Sequence, residues 1–311
     1  MARASPSTDL QAYLEARTRQ VETALDALLP PEDAFPAIVH RAMRYSVFAG
    51  GKRLRPLLVI AAAETVGGAV DAVMPTACAV ELIHTYSLIH DDLPSMDNSP
   101  TRRGRPTCHV VFGEAVAVLA GDALHALAFE LLARTPDAVP PATVVQVVLE
   151  IARSIGTEGM VGGQVLDLLG ERRASLPPIP AWPQDPGAAV RDIHVRKTAA
   201  LIRACVRAGA LLSGATAPEL EALSTYGQRI GLAFQIIDDV LDEVGEAARL
   251  GKEVHRDALA SKLTFPAVHG VEGSRAIAAA LTEEAVRALA PLGARARMLA
   301  ELGPWLLQRD V

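Results

Sequence analysis

The chain has 311 residues, half of them apolar and only 4% aromatic, with a formal charge of −6. That length can bury a large core, and the acidic balance argues against a nucleic-acid partner. No uninterrupted apolar run reaches the roughly 18 to 20 residues of a membrane helix. Cys78, Cys108 and Cys205 are widely spaced without a CxxC, which argues against a disulfide framework or zinc knuckle and for a reduced, cytoplasmic protein.

The N-terminus lacks the apolar stretch of a signal peptide. The first periodic segment, "LQAYLEARTRQVETALDALL", sets Leu10, Leu14, Val21, Leu25 and Leu28 roughly on helical phase. "GGKRLRP" follows at residues 50–56, with Lys52 and Arg55 three apart on one side of a helix that starts there. Cations beside the free N–H groups of a helix start make an anion site. It is not a P-loop, and alone such a stretch is more often a solvated turn. Next, "DAVMPTACAVELIHTYSLIHDD" is an apolar helical run ending in Asp91 and Asp92. His84 and Asp91, seven apart, share a face, and Pro94 ends or bends the helix so that Asp97 lies on the following turn.

"RRGRPTCH" then groups Arg102, Arg103 and Arg105. "ATVVQVVLEIARSIG" reads as another helix, while the clustered prolines of residues 171–190 mark a loop or insertion. "HVRKTAALIRACV" puts Lys197 and Thr198 at the head of a very apolar helix, where a snorkelling lysine is the plain alternative. "ELEALSTYGQRIGLAFQIIDDVLDEVG" ends in a second acidic cluster: Gln235, Asp238 and Asp242 share one face, and Asp239 points about 100° away. Lys252 and Lys262 lie just beyond it. With no alternating strand pattern, no Asn-Gly hairpin and no long repeat, the expectation is a single all-α domain over residues 1–311.

One acidic pair at a helix end is usually solvated surface, although the helix dipole disfavours it there. Two such clusters, each after a buried-looking apolar run, call for a compensating cation. Oxygen ligands without histidine or thiol at ligand spacing indicate a hard ion such as Mg²⁺, which takes one or two carboxylates and completes its shell with water and phosphate. A polyphosphorylated substrate, bridged to the aspartates by metal and gripped by the arginines, reconciles the acidic and basic clusters.

The stretches "YSVFAGGKRLRPLL", "LIHDDLPSMD…RRGRPTCH", "GMVGGQVLDL", "HVRKTAAL" and "FQIIDDVLD…GK…D…SK.TFP" resemble, in order, the successive motifs of the trans-prenyltransferases, or polyprenyl diphosphate synthases. The resemblance implies a helical bundle around a deep central cavity, acting as a homodimer with three Mg²⁺ ions. It implies Asp91, Asp97 and Asp238 as direct metal ligands, with Asp92, Asp239 and Asp242 supporting or water-mediated. Arg102, Lys197, Lys252 and Lys262 would bind the allylic diphosphate. Lys52, Arg55, His84 and Arg103 would bind isopentenyl diphosphate, and Thr198 and Gln235 would set oxygen dipoles beside the developing carbocation. No stable membrane insertion is expected.

Product length is expected to depend on Tyr86 and Ser87, just upstream of Asp91; the aromatic and the four-residue gap in "DDLPSMD" resemble bacterial farnesyl diphosphate synthases. The expectation is therefore a C15 product, with C20 as the alternative. A terpene cyclase, an all-α metal-dependent phosphohydrolase and a non-catalytic partner subunit are the rival classes.

Overall fold

The computed structural model describes residues 7–134, 139–170, 183, 185–245 and 263–307. Helix α1 (Thr8–Leu28) starts where the Ser7 side chain accepts a hydrogen bond from the Leu10 N–H at 3.1 Å, and it buries Leu10, Val21 and Leu25. Helices α2 (Ala37–Val47), α3 (Leu54–Thr65) and α4 (Val70–Asp91) follow. The last two are apolar nearly all round, as helices at the centre of a bundle must be. Then come α5 (Cys108–Phe112), α6 (Glu114–Ala133), α7 (Pro141–Ile155) and α8 (Met160–Gly170).

Helix α9 (Pro186–His194) runs through a π-helical turn, Val195–Ala199, into α10 (Ala200–Leu212). The 28-residue α11 (Ala217–Val244) carries a capping box between Thr216 and Glu219. Helix α12 (Phe265–Ala288), a 3₁₀ turn (Ala290–Ala296) and α13 (Arg297–Leu307) complete the described chain.

The main core joins α3, α4, α6, α10 and α11, and a smaller one sits between α11 and α12 around Ile236 and Phe265. Tyr226 lies fully inside and donates its hydroxyl to the Leu299 carbonyl at 2.8 Å, tying α13 to α11.

The all-α expectation holds, with one departure. Thr101–Arg102 and Arg105–Pro106 form a short antiparallel hairpin. Arg103 and Gly104 turn it, both at positive φ, so Arg-Gly here does what Asn-Gly does in most such turns. The proline-rich segment also ends sooner than residue 190: Asp185 caps α9 through the Ala188 N–H (2.8 Å), and Pro186 opens the helix. Residues 171–182 of that segment lie outside the described residues.

By length and composition α4 and α6 could each cross a membrane, although no bare apolar run in the sequence suggested it. Two-thirds of the most apolar stretch of α4 is buried inside the bundle, but only 39% of that of α6.

Candidate active site

A cavity of about 700 Å³ opens between α3, α4, α8, the π turn and α11. Its polar lining includes Lys52, Arg55, His84, Asp91, Arg102, Arg103, Lys197, Thr198, Gln235 and Asp238. Asp91 from the end of α4 and Asp238 from α11 thus belong to one space, although 147 residues of sequence separate them.

Helix α4 stops just before Pro94, as expected. The chain then folds back on itself: the Asp97 N–H donates to the Asp91 carbonyl (2.8 Å) and the Ser99 N–H to that of Asp92 (3.1 Å). Burial raises the Asp91 pKa; Lys197 and Arg102 oppose this, while Asp97 and Asp92 add to it. A buried carboxylate crowded by two others is a place that a divalent cation relieves. Among the described residues no three His, Cys, Asp or Glu side chains close a coordination shell by themselves. Asp91 and Asp238 line the cavity with oxygen donors of the kind a hard divalent ion takes, while Asp97 is not among the lining residues and bears on the site through its charge on Asp91.

Of the six aspartates, Asp91 and Asp238 line the cavity, and the supporting three turn elsewhere. Asp92 is buried beneath Arg102, whose Nε and Nη2 reach both its oxygens at 2.8–3.1 Å. Burial works against the Arg102 charge, and the Asp92 hydrogen bonds and charge more than offset it, so the guanidinium is held firmly cationic. Asp239 is turned inward: it accepts from Gln235 Nε2 (3.1 Å) and from the Phe265 N–H (3.1 Å), and its other near neighbour is His194 Nε2 at 3.2 Å. Asp242 is buried and does not line the cavity. A helix presents about 100° per residue, so adjacent acids split between the cavity and the packing behind it.

The loop before α3 is shaped by Gly50, Gly51 and Arg53, all at positive φ. Arg53 is 3% exposed and donates to Glu22 (2.7 Å), Glu81 (2.8 Å) and the Val47 carbonyl (2.8 Å). With that residue fixed, its neighbours Lys52 and Arg55 both reach the cavity. Arg103 crosses from the hairpin to donate to the Gly50 carbonyl. Burial lowers the pKa of Arg55. Burial, and then Arg55, Arg103, Arg102 and Arg53, push His84 well below the usual histidine value, so the ring is neutral near pH 7.

Lys197 and Thr198 lie in the π turn, a feature common at functional sites. Two glycines let its neighbours in. A Cβ on Gly163 of α8 would collide with the Lys197 backbone, and one on Gly231 of α11 would lie 2.6 Å from Ala199 Cα. The close approach brings Thr198 Oγ1 to 2.7 Å from Gln235 Oε1 and Lys197 Nζ to 2.6 Å from Asp167 Oδ2. Asp167, Arg53 and Gln164, whose Oε1 is buried at the cavity wall without a hydrogen-bond partner, went unassigned in the sequence. The "GGQVLD" spacing, with Gln164 and Asp167 three apart on one helix face, was the available signal.

Tyr86, Met160, Val161, Val165, Leu168 and Phe234 give the same cavity apolar walls, with Ser87 beside Tyr86 in sequence. Tyr86 packs on His125 (centroids 4.7 Å apart) and edge-on to His90 (5.8 Å). Burial pushes its phenol up to about 12, with Asp91 adding to the shift. Lys252 and Lys262 fall outside the described residues.

An all-α protein in which one cavity joins acids and cations to apolar walls defines a class: enzymes that hold an anionic headgroup and shelter its hydrocarbon tail. The family model described as polyprenyl synthetase matches residues 36–290, and the chain belongs to that family of prenyltransferases. It is 48% identical to the large subunit 1 of the heterodimeric geranylgeranyl pyrophosphate synthase of Arabidopsis thaliana, over 90% of this chain and 73% of that one. It is 42% identical to a geranylgeranyl diphosphate synthase of Cyanophora paradoxa over 97% of each chain. Among solved structures, an FPP/GFPP synthase from Zymomonas mobilis superposes with a TM-score of 0.80 at 35% identity, covering 96% of this chain and 99% of that one.

Proposed function

We propose that the protein condenses isopentenyl diphosphate head-to-tail with an allylic diphosphate and that its main product is the C20 geranylgeranyl diphosphate. The observation that carries the chemistry is the one cavity lined by Asp91, Asp238, six lysine and arginine side chains and apolar walls. Support for C20 over the C15 expected from Tyr86 and the aspartate spacing comes from the geranylgeranyl synthases at 42–48% identity. The small Ser87, next to Tyr86 in the cavity lining, also favours room there.

In this reading Lys197 and Arg102 hold the allylic diphosphate, with Lys252 and Lys262 as further candidates. Lys52, Arg55, Arg103 and the neutral His84 hold isopentenyl diphosphate. Asp91, Asp97 and Asp238 would hold up to three Mg²⁺ ions, which would supply further positive charge against the departing diphosphate. As the allylic C–O bond breaks, negative charge builds on that leaving group, and Lys197 and Arg102 stabilise it most at that moment. Thr198 and Gln235 set oxygen dipoles against the allylic cation, while Met160, Val165 and Phe234 keep water away. The isopentenyl double bond then forms the new C–C bond, and a proton is lost, with the released diphosphate placed to take it.

The protein as a homodimer in a reducing, cytoplasmic compartment belongs to the same reading. Support comes from the three free, buried thiols and from exposed apolar side chains of α5, α6 and α7, among them Val111, Leu119 and Val145.

The test supplies Mg²⁺, radiolabelled isopentenyl diphosphate and C5, C10 or C15 allylic primers, and sizes the products. Elongation stopping at C20 is expected; a C15 end point restores the shorter assignment, and free phosphate or a cyclic hydrocarbon moves the protein to a rival class. In the same assay Tyr86→Ala lengthens the main product if Tyr86 floors the cavity, whereas an unchanged profile makes it a packing residue.

A further inference from the structure

Trp305 of α13 lies with its ring centroid 5.6 Å from Lys52 Nζ, inside the range of a cation–π contact. The next residue, Leu306, lines the cavity itself. Helix α13 is in turn held in place by the Tyr226 hydroxyl on the Leu299 carbonyl and by Arg297, which reaches Asp9 of α1 at 2.7 Å. The last described helix therefore bears on the rim of the site through an aromatic face presented to one of its cations. Lysine carries a flexible stem with large rotamer entropy, so a wall that restricts it lowers the cost of fixing the ammonium on a ligand. An indole face does this without competing as an anion, leaving the ammonium its charge and its remaining N–H groups.

We propose that Trp305 is a positioning residue for the isopentenyl diphosphate pocket: its ring holds Lys52 at the cavity rim, making α13 part of that substrate's site and not of the allylic one. The inference rests on Lys52 binding isopentenyl diphosphate, as assigned above.

The test compares Trp305→Leu, Trp305→Phe, Lys52→Met and the Trp305→Leu/Lys52→Met double variant by steady-state kinetics with each substrate varied in turn. Trp305→Leu is expected to raise KM for isopentenyl diphosphate about two- to five-fold, the size of an exposed cation–π contact. KM for the allylic substrate and kcat stay within error, and Trp305→Phe recovers most of the loss. In the double variant the tryptophan substitution adds nothing to the effect of Lys52→Met. Equal losses for both substrates, or additive effects, would mean that Trp305 only packs the helix, and the proposal falls. Should Lys52→Met leave the isopentenyl KM unchanged, the Lys52 assignment itself fails, and that result is separate from the others.

A second measurement does not depend on the folding of a variant at the α13 position. The other tryptophan is Trp182. In Trp182→Phe protein, Trp305 emission is expected to change on titration with isopentenyl diphosphate and not with an allylic diphosphate. A silent titration overturns the proposal.

Discussion

His84 stands among four arginines, and their charges together with burial keep its ring neutral. The unfolded chain takes up a proton near the ordinary value of 6.5 while the folded protein does not. The neutral form's contribution is therefore complete above that pH and is lost as pH falls toward the lower folded value. Thermal melts from pH 7.5 to 5 are expected to show that His84→Gln loses less stability on acidification than the parent; parallel slopes would remove His84 as a source of acid sensitivity. At this scale the sequence identified residue types better than orientations. Asp91 and Asp238 line the cavity as the motifs implied, but Asp92 and Asp239 serve Arg102 and Gln235. Which of two adjacent acids turns inward depends on the partners waiting there, Arg102 of the hairpin for Asp92 and Phe265 and His194 of other helices for Asp239.

The elements show why Lys197 and Thr198 reach one cavity. A regular helix would turn them about 100° apart, and the π turn together with Gly163 and Gly231 sets where they stand. Gly231→Ala is expected to cost about 1–3 kcal/mol in thermal or denaturant unfolding, because its Cβ meets backbone that has little room to yield. It should also lower kcat by disturbing the 2.7 Å contact between Thr198 and Gln235. Full activity in this variant would show that the close approach is not needed. Apolar spacing located most helices because it reports burial directly. It said nothing of the Arg103-Gly104 hairpin or the π turn, which are decided by long-range packing and by two left-handed residues.

At the scale of the molecule, the outer face of α6 stands apolar and exposed, with Val118 and Leu119 on it. Leu119 is 59% exposed on a helix whose composition belongs in a core. With a second copy of the chain as the occupant, Leu119→Glu is expected to give a monomer by light scattering with an unchanged helical circular dichroism spectrum. A variant that stays dimeric puts the interface elsewhere.

Five motifs in order and a helical period were enough to read the family and the all-α class, because such chemistry needs particular side chains whatever surrounds them and burial leaves its period in the sequence. Only the tertiary structure decided that Arg53 braces the Lys52 loop, that Asp167 meets Lys197, and that Trp305 stands over Lys52. Those contacts join residues from 28 to more than 250 positions apart, and one-dimensional spacing cannot report a distance that exists only after the helices have packed.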